Sequence, residues 1–203
     1  MSLSELWSLY GQNYIDALLA TWGMTLESFA IAMVLAVAVT VMRVSPLKPL
    51  RVFGDLYVQV FRNIPGIALL IIVVYALPPL KVVLPYRTCV IVATVLLGSA
   101  FGSENFMSGI NTVGVGQVEA ARSLGMSFSR ILAKIVIPQA LRSSVLPMTN
   151  LFIAVMLTTA LGSQVPLQPQ ELTGVVSYIN TRSLAASPRS LSRRSATWAL
   201  PLW

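Results

Sequence analysis

Residues 21–42 contain a single charge, Glu27, and about 20 apolar residues in a row is the length a bilayer's hydrocarbon core requires of a helix. Three more apolar stretches follow, at residues 66–77, 89–106 and 145–161. In lipid every backbone N–H and C=O needs a partner within the chain, so such stretches fold as helices. The fold class expected is an all-α, multi-pass integral membrane protein with four recognisable spans. Composition agrees: 56% of the 203 residues are hydrophobic and 10% charged, against about 25% charged in ordinary soluble domains.

The same numbers exclude several functions. A net charge of +7 would suggest nucleic acid in a soluble protein. Here the basic residues cluster in loops beside apolar spans, as the positive-inside rule requires, and no nucleic-acid partner is expected. There is no histidine and one cysteine, Cys89. That rules out a disulfide framework, a zinc cluster and any histidine-based triad, so no metal site and no catalytic residue is expected. An intramembrane enzyme fares poorly, for the spans hold no close acid pair in mid-span and no Ser–Lys spacing on one helix face. Gly114-Val115-Gly116 begins like a dinucleotide fingerprint, but Glu119 stands at the third glycine's place and no strand precedes it. No phosphate-binding P-loop occurs either. Residues 1–20 contain no Lys or Arg, which argues against a signal peptide.

Orientation follows from the loops. Arg43, Lys48, Arg51 and Arg62 follow the first span, and Arg122, Arg130, Lys134 and Arg142 follow the third. Only Lys81 and Arg87 follow the second. Both four-charge loops are therefore expected inside the cell and the N-terminus outside. Residues 1–20 read as an external lead-in, amphipathic over 13–19, and residues 21–182 as the membrane domain. The 66–77 stretch is short, so its helix should begin near Tyr57 and kink at Pro65. Pro147 should fall in the first turn of the fourth span. Residues 162–181 contain no span. Residues 183–203 are rich in Ser, Arg and Pro and read as a disordered basic tail. Four spans would leave Arg189, Arg193 and Arg194 outside, against the charge rule.

Between the third and fourth spans, residues 117–138 read as a helical hairpin in water. Gly114 and Gly116 interrupt the preceding helix. Gly116 suits an N-cap with Glu119 at N3, near the positive helix end. Gln117, Ala120, Ala121 and Leu124 fall on one face, and Gly125 suits the C-terminal stop. Ser127 would cap a second helix with an apolar stripe of Phe128, Ile131, Leu132, Ile135 and Val136. Arg130 and Lys134 would lie opposite, and Pro138 would end or kink the helix. Such a hairpin serves either as a docking surface for a soluble partner or as a connector resting on the bilayer.

Glu119-Ala120-Ala121, Gly125 three residues on, and Ile135-x-Ile137-Pro138 nine further resemble the EAA motif of binding-protein-dependent ABC importer permeases, with Ile137 in place of the usual leucine. Tyr57-Val58 with Arg62-Asn63-Ile64-Pro65, and Ser108 to Gln117, are similar to stretches of the polar amino-acid (glutamate/glutamine-type) branch. The resemblance covers residues 17–180. It implies a type-1 transmembrane domain in the bacterial plasma membrane whose cytoplasmic hairpin is a coupling helix seated in a cleft of an ABC ATPase subunit. Gln117, Glu119, Ala120, Ala121, Leu124 and Gly125 would form that contact. ATP and Mg would bind the ATPase, with no cofactor on this chain. Further implied partners are a second permease (identical or homologous), an extracytoplasmic solute-binding protein and membrane lipid. The solute would be a polar amino acid or similar small molecule.

The family usually closes with a fifth span, which is not recognisable after Arg182. A truncated or frame-shifted, non-transporting remnant is the alternative expectation. Glu104, Asn150, Thr158 and Thr159 are candidates for a pathway or gate. Glu27 reads as structural or interfacial. Gly98 and Gly102 form a G-x-x-x-G suited to close helix contact.

Overall fold

A computed structural model describes residues 3–185 of the chain. Its α-helices are α1 (Leu3–Val44), α2 (Lys48–Asn63), α3 (Gly66–Ala76), α4 (Tyr86–Asn111), α5 (Val115–Ser123), α6 (Phe128–Ile131), α7 (Ile137–Thr158) and α8 (Leu172–Ala185). Among the described residues there is no strand.

The spine is the contact between α1 and α4. Small residues make it: a Cβ on Gly98 would come within 3.2 Å of Ala32 Cβ, and one on Gly102 within 2.8 Å of Ala36 Cβ. On α1 the buried positions include Thr25, Ser28, Ala32, Ala36 and Thr40, while Leu26, Ile31, Val34, Val37 and Val41 are exposed. Lipid is as apolar as leucine, so size rather than hydropathy decides which face turns inward. The buried hydroxyls of Thr21, Thr25 and Thr40 donate to carbonyls four residues back, at 2.9, 2.7 and 2.7 Å.

Residue numbers rise together along this seam, so α1 and α4 run parallel. An ion pair closes each end. Arg87 Nη2 lies 2.8 Å from Glu27 Oε2, and Arg43 Nη1 lies 3.2 Å from Glu104 Oε2. Residues 27 and 43 are about 24 Å apart along the helix, close to the roughly 30 Å hydrocarbon thickness. Parallel helices of equal depth oblige the intervening chain to travel back, and α2 with α3 makes that return. The pair is bent by 101° rather than kinked. Pro65 lacks an N–H and holds Ile64 extended, at φ −84° and ψ 126°, so the helix breaks there and restarts.

α7 packs on α4 in the opposite sense, with Leu151 beside Gly102 and Val155 beside Gly98. It starts earlier than the hydropathy suggested. The whole stretch Phe128–Gln164 forms a helical rod of 37 residues, so Pro138 does not end it and Pro147 lies inside α7. A π turn at Leu132–Val136 precedes the proline, with the Ile137 N–H donating to Leu132 O. Widening the ladder there lets the proline enter at the second position of α7, where an N–H is dispensable.

Among the described residues three rods, α1, α4 and Phe128–Gln164, are long and apolar enough to cross a membrane, and the bent pair makes a fourth if taken as one. The expected lead-in is not a separate element, because α1 is unbroken from Leu3 to Val44. Its Ala17 packs with Val175 and Ile179 of α8, and the Leu172 N–H donates to Thr21 Oγ1 at 3.1 Å. The buried Glu171 caps α8, accepting from the Thr173 and Gly174 N–H groups at 2.6 and 2.7 Å. Residues 183–185 belong to α8; the rest of the expected tail lies outside the described residues.

Candidate functional site

Three features bear on function: the hairpin and an ion cluster at the basic end of the bundle, and a cavity that extends from that end along α4 and α7. α4 carries the chain past Glu104 to Asn111, so the hairpin hangs from the same end as Arg43, Lys48, Arg51 and Arg62.

The hairpin's first helix, α5, starts earlier than expected. Gly114 is its N-cap, at φ −60° and ψ 133°, which moves Glu119 out of the first turn and puts Gln117 at N3. Its end is as the glycine implied. Gly125 has φ +73°, its N–H donates to Arg122 O at 2.9 Å, and the Met126 N–H donates to Ala121 O at 3.1 Å. This pair of bonds is a Schellman motif, and Met126 packs in the same cluster as Ala121. Ser127 is the N-cap of α6, but through its backbone carbonyl, which accepts from Arg130 and Ile131; its hydroxyl makes no cap bond.

The expected four-residue face divides. Ala121 is 4% exposed and joins Val113, Ile131, Val136 and Val118 in a small core inside the hairpin. Gln117, Glu119, Ala120 and Leu124 are exposed, Leu124 at 82%. Val115 and Phe128 add two large apolar side chains to the exposed surface, whereas Ile131 and Val136 of the same expected apolar stripe are buried. Gln139 Nε2 donates to Gln117 Oε1 at 2.7 Å and fixes the hairpin against α7.

Beside it, Arg43 holds two carboxylates. Its Nε lies 2.8 Å from Asp55 Oδ1 and its Nη1 3.2 Å from Glu104 Oε2, and Arg62 Nη1 lies 3.6 Å from that same Oε2. The cluster joins α1, α2 and α4. It also lines a polar pocket of about 350 Å³ that includes Gln59 and Phe101.

A larger cavity of about 950 Å³ lies among the α2–α3 break, α4 and α7. Of the four pathway candidates, Asn150 and Thr158 line it. Thr159 is buried, donates to Met156 O at 2.7 Å and does not line it. Glu104 belongs to the ion cluster instead. Sequence reasoning missed Arg62, Thr94, Asn105 and Gln164, which supply the other polar groups of the wall. The Thr94 hydroxyl is buried and makes no hydrogen bond. Arg62 had one visible signal, its place just before the Asn63-Ile64-Pro65 break.

Comparison with known proteins decides the family. Residues 28–178 match the family described as the inner membrane component of binding-protein-dependent transport systems. The chain belongs to that family. It is 35% identical to the glutamate transport system permease protein GluC of Corynebacterium efficiens over 173 residues, covering 79% of this chain and 76% of that one. It is 34% identical to the L-cystine transport system permease protein TcyB of Bacillus subtilis over 164 residues, 78% of this chain and 70% of that one. Among solved structures, an amino acid ABC transporter with histidines aligns with a TM-score of 0.83 and 26% identity, over 91% of this chain and 85% of its own. The MetNI methionine ABC transporter, at 21% identity and a TM-score of 0.61 over 86% of this chain and 81% of its own, shares the fold. The chain is thus a membrane-integral permease component of an ABC transport system.

Proposed function

We propose that this chain is the permease of an importer for a polar amino acid, driven by ATP hydrolysis on separate ATPase subunits. The observation that carries the coupling role is the hairpin's division of faces. Val118 and Ala121 close on its own core, and Ala120, Leu124, Val115 and Phe128 are left uncovered at the basic end. A connector lying on lipid would have no need of an internal core and a stiff Schellman stop. A helix that transmits force into a partner's cleft needs both. ATP and Mg bind the ATPase, and the hairpin moves α4 and α7, from which it hangs.

The basic end lies in the cytoplasm of a bacterial cell and the N-terminus outside. The 950 Å³ cavity, with Asn150 and Thr158 in its wall, is this subunit's share of the pathway. A second permease completes it, and a solute-binding protein delivers from outside. The relatives' named solutes, glutamate and cystine, point to amino acids as the class.

The test is a cysteine at Leu124 or Ala120, in the Cys89→Ser background, crosslinked in the assembled transporter. Capture of the ATPase subunit from both positions is expected, with none from the buried Ala121. Capture from neither, or labelling of both from outside the cell, overturns the reading.

A further inference from the structure

Among the described residues Arg62 is the cation shared by the two cavities: it lines both the 950 Å³ space and the 350 Å³ pocket. No aspartate or glutamate lines the larger one. The guanidinium sits 5.4 Å from the centroid of the Phe101 ring, which lies in both walls as well. Its tie to the ion cluster is the loosest there. Glu104 Oε2 lies 3.6 Å from Arg62 but 3.2 Å from Arg43. If Arg62 were drawn away, Glu104 would keep Arg43 as a partner, and Arg43 would keep Asp55 at 2.8 Å. The cluster can therefore release Arg62 while each carboxylate keeps contact with a guanidinium.

We propose that Arg62 binds the carboxylate of the transported amino acid, exchanging Glu104 for the solute. The inference rests on the reading of the larger cavity as the pathway and names the group that holds the solute there. A guanidinium offers a planar, bidentate fit to a carboxylate that neutral hydroxyls and amides cannot match. Of the remaining polar wall, Thr158, Asn105 and Gln164 already donate within the chain, at 2.7, 3.1 and 3.0 Å, which leaves Asn150 as an uncharged partner for the rest of the molecule.

The test uses Ala154, an exposed cavity residue, replaced by cysteine in the Cys89→Ser background of the reconstituted permease–ATPase complex. The readout is the rate of its labelling by a small thiol reagent in the presence of L-glutamate, L-glutamine or their α-amides. Each amide keeps the size of its parent and lacks the α-carboxylate charge. The acid should protect at concentrations about ten-fold or more below its amide, the difference expected from one charge-assisted hydrogen bond. Arg62→Gln should bring the two together, and Arg62→Lys should restore part of the gap. Equal protection by acid and amide in the parent overturns the proposal but leaves the pathway standing. An undiminished gap in Arg62→Gln does the same. Protection by none of these compounds in a complex that transports one of them overturns both.

Discussion

Gly102 leaves no space for a methyl group, since a Cβ there would lie 2.8 Å from Ala36 Cβ, with both carbons fixed to backbone. Gly102→Ala should therefore push α1 from α4 and cost about 1–3 kcal/mol. It should appear as a lower thermal unfolding midpoint in detergent, and Ala36→Gly in the same chain should recover much of the loss. Ser28 presents the reverse case. It is fully buried and its hydroxyl finds no partner, so Ser28→Ala should be neutral or stabilising by up to about 1 kcal/mol. A midpoint lowered by several degrees would contradict the unpaired assignment. At this scale the sequence was readable where a residue has one physical use. Gly98 and Gly102 declared close contact, and Gly125 declared a positive φ. Ala120 and Ala121 are chemically identical neighbours, and only the presence of Val113 and Ile131 on one side makes Ala121 inward.

The hairpin, as an element, depends on its stop. Alanine at Gly125 must take a left-handed conformation, at a cost of about 1–2 kcal/mol, which strains the bond from Met126 to Ala121 and loosens α5. Gly125→Ala should reduce solute uptake several-fold while membrane insertion and basal ATP hydrolysis of the complex stay near the parent level. Measuring all three in one preparation separates coupling from folding, and uptake at the parent level would remove the hairpin's stiffness from the mechanism. Elements were legible from apolar length and from glycine, less so from proline. Pro65 and Pro138 look alike in sequence. One breaks its helix outright, whereas the other is carried by a π turn in a segment whose Ile131 and Val136 pack in one cluster with Val113. The start of α1 was hidden for a related reason. The amphipathic stretch over 13–19 suggested a separate lead-in, while in the structure it continues into the span and its Ala17 packs against α8.

Across the whole molecule, charge placement was legible and the cavity was not. The loop charges pointed to one shared end, and the parallel course of α1 and α4 brings those loops together. The cavity takes Arg62, Thr94 and Asn150 from three helices far apart in sequence, and no local pattern joins them. The two ion pairs at the ends of the α1–α4 seam make a further comparison. Glu27 and Arg87 are 50% and 42% exposed, so Glu27→Gln should change stability by less than about 1 kcal/mol. Arg43 is only 12% exposed and pairs with both Asp55 and Glu104. Arg43→Leu leaves Asp55 and Glu104, which line one pocket, with Arg62 as the remaining cation described there. Breaking a buried pair costs about 3–5 kcal/mol, and the half-exposed carboxylates lower that to about 1–3 kcal/mol. The substitution should lower the unfolding midpoint well beyond Glu27→Gln. Adding Asp55→Asn should restore part of the loss, because the repulsion falls when one carboxylate is made neutral. If the second change lowers stability further, the cluster is not held by charge balance, and the three helices must be joined at that end by packing alone.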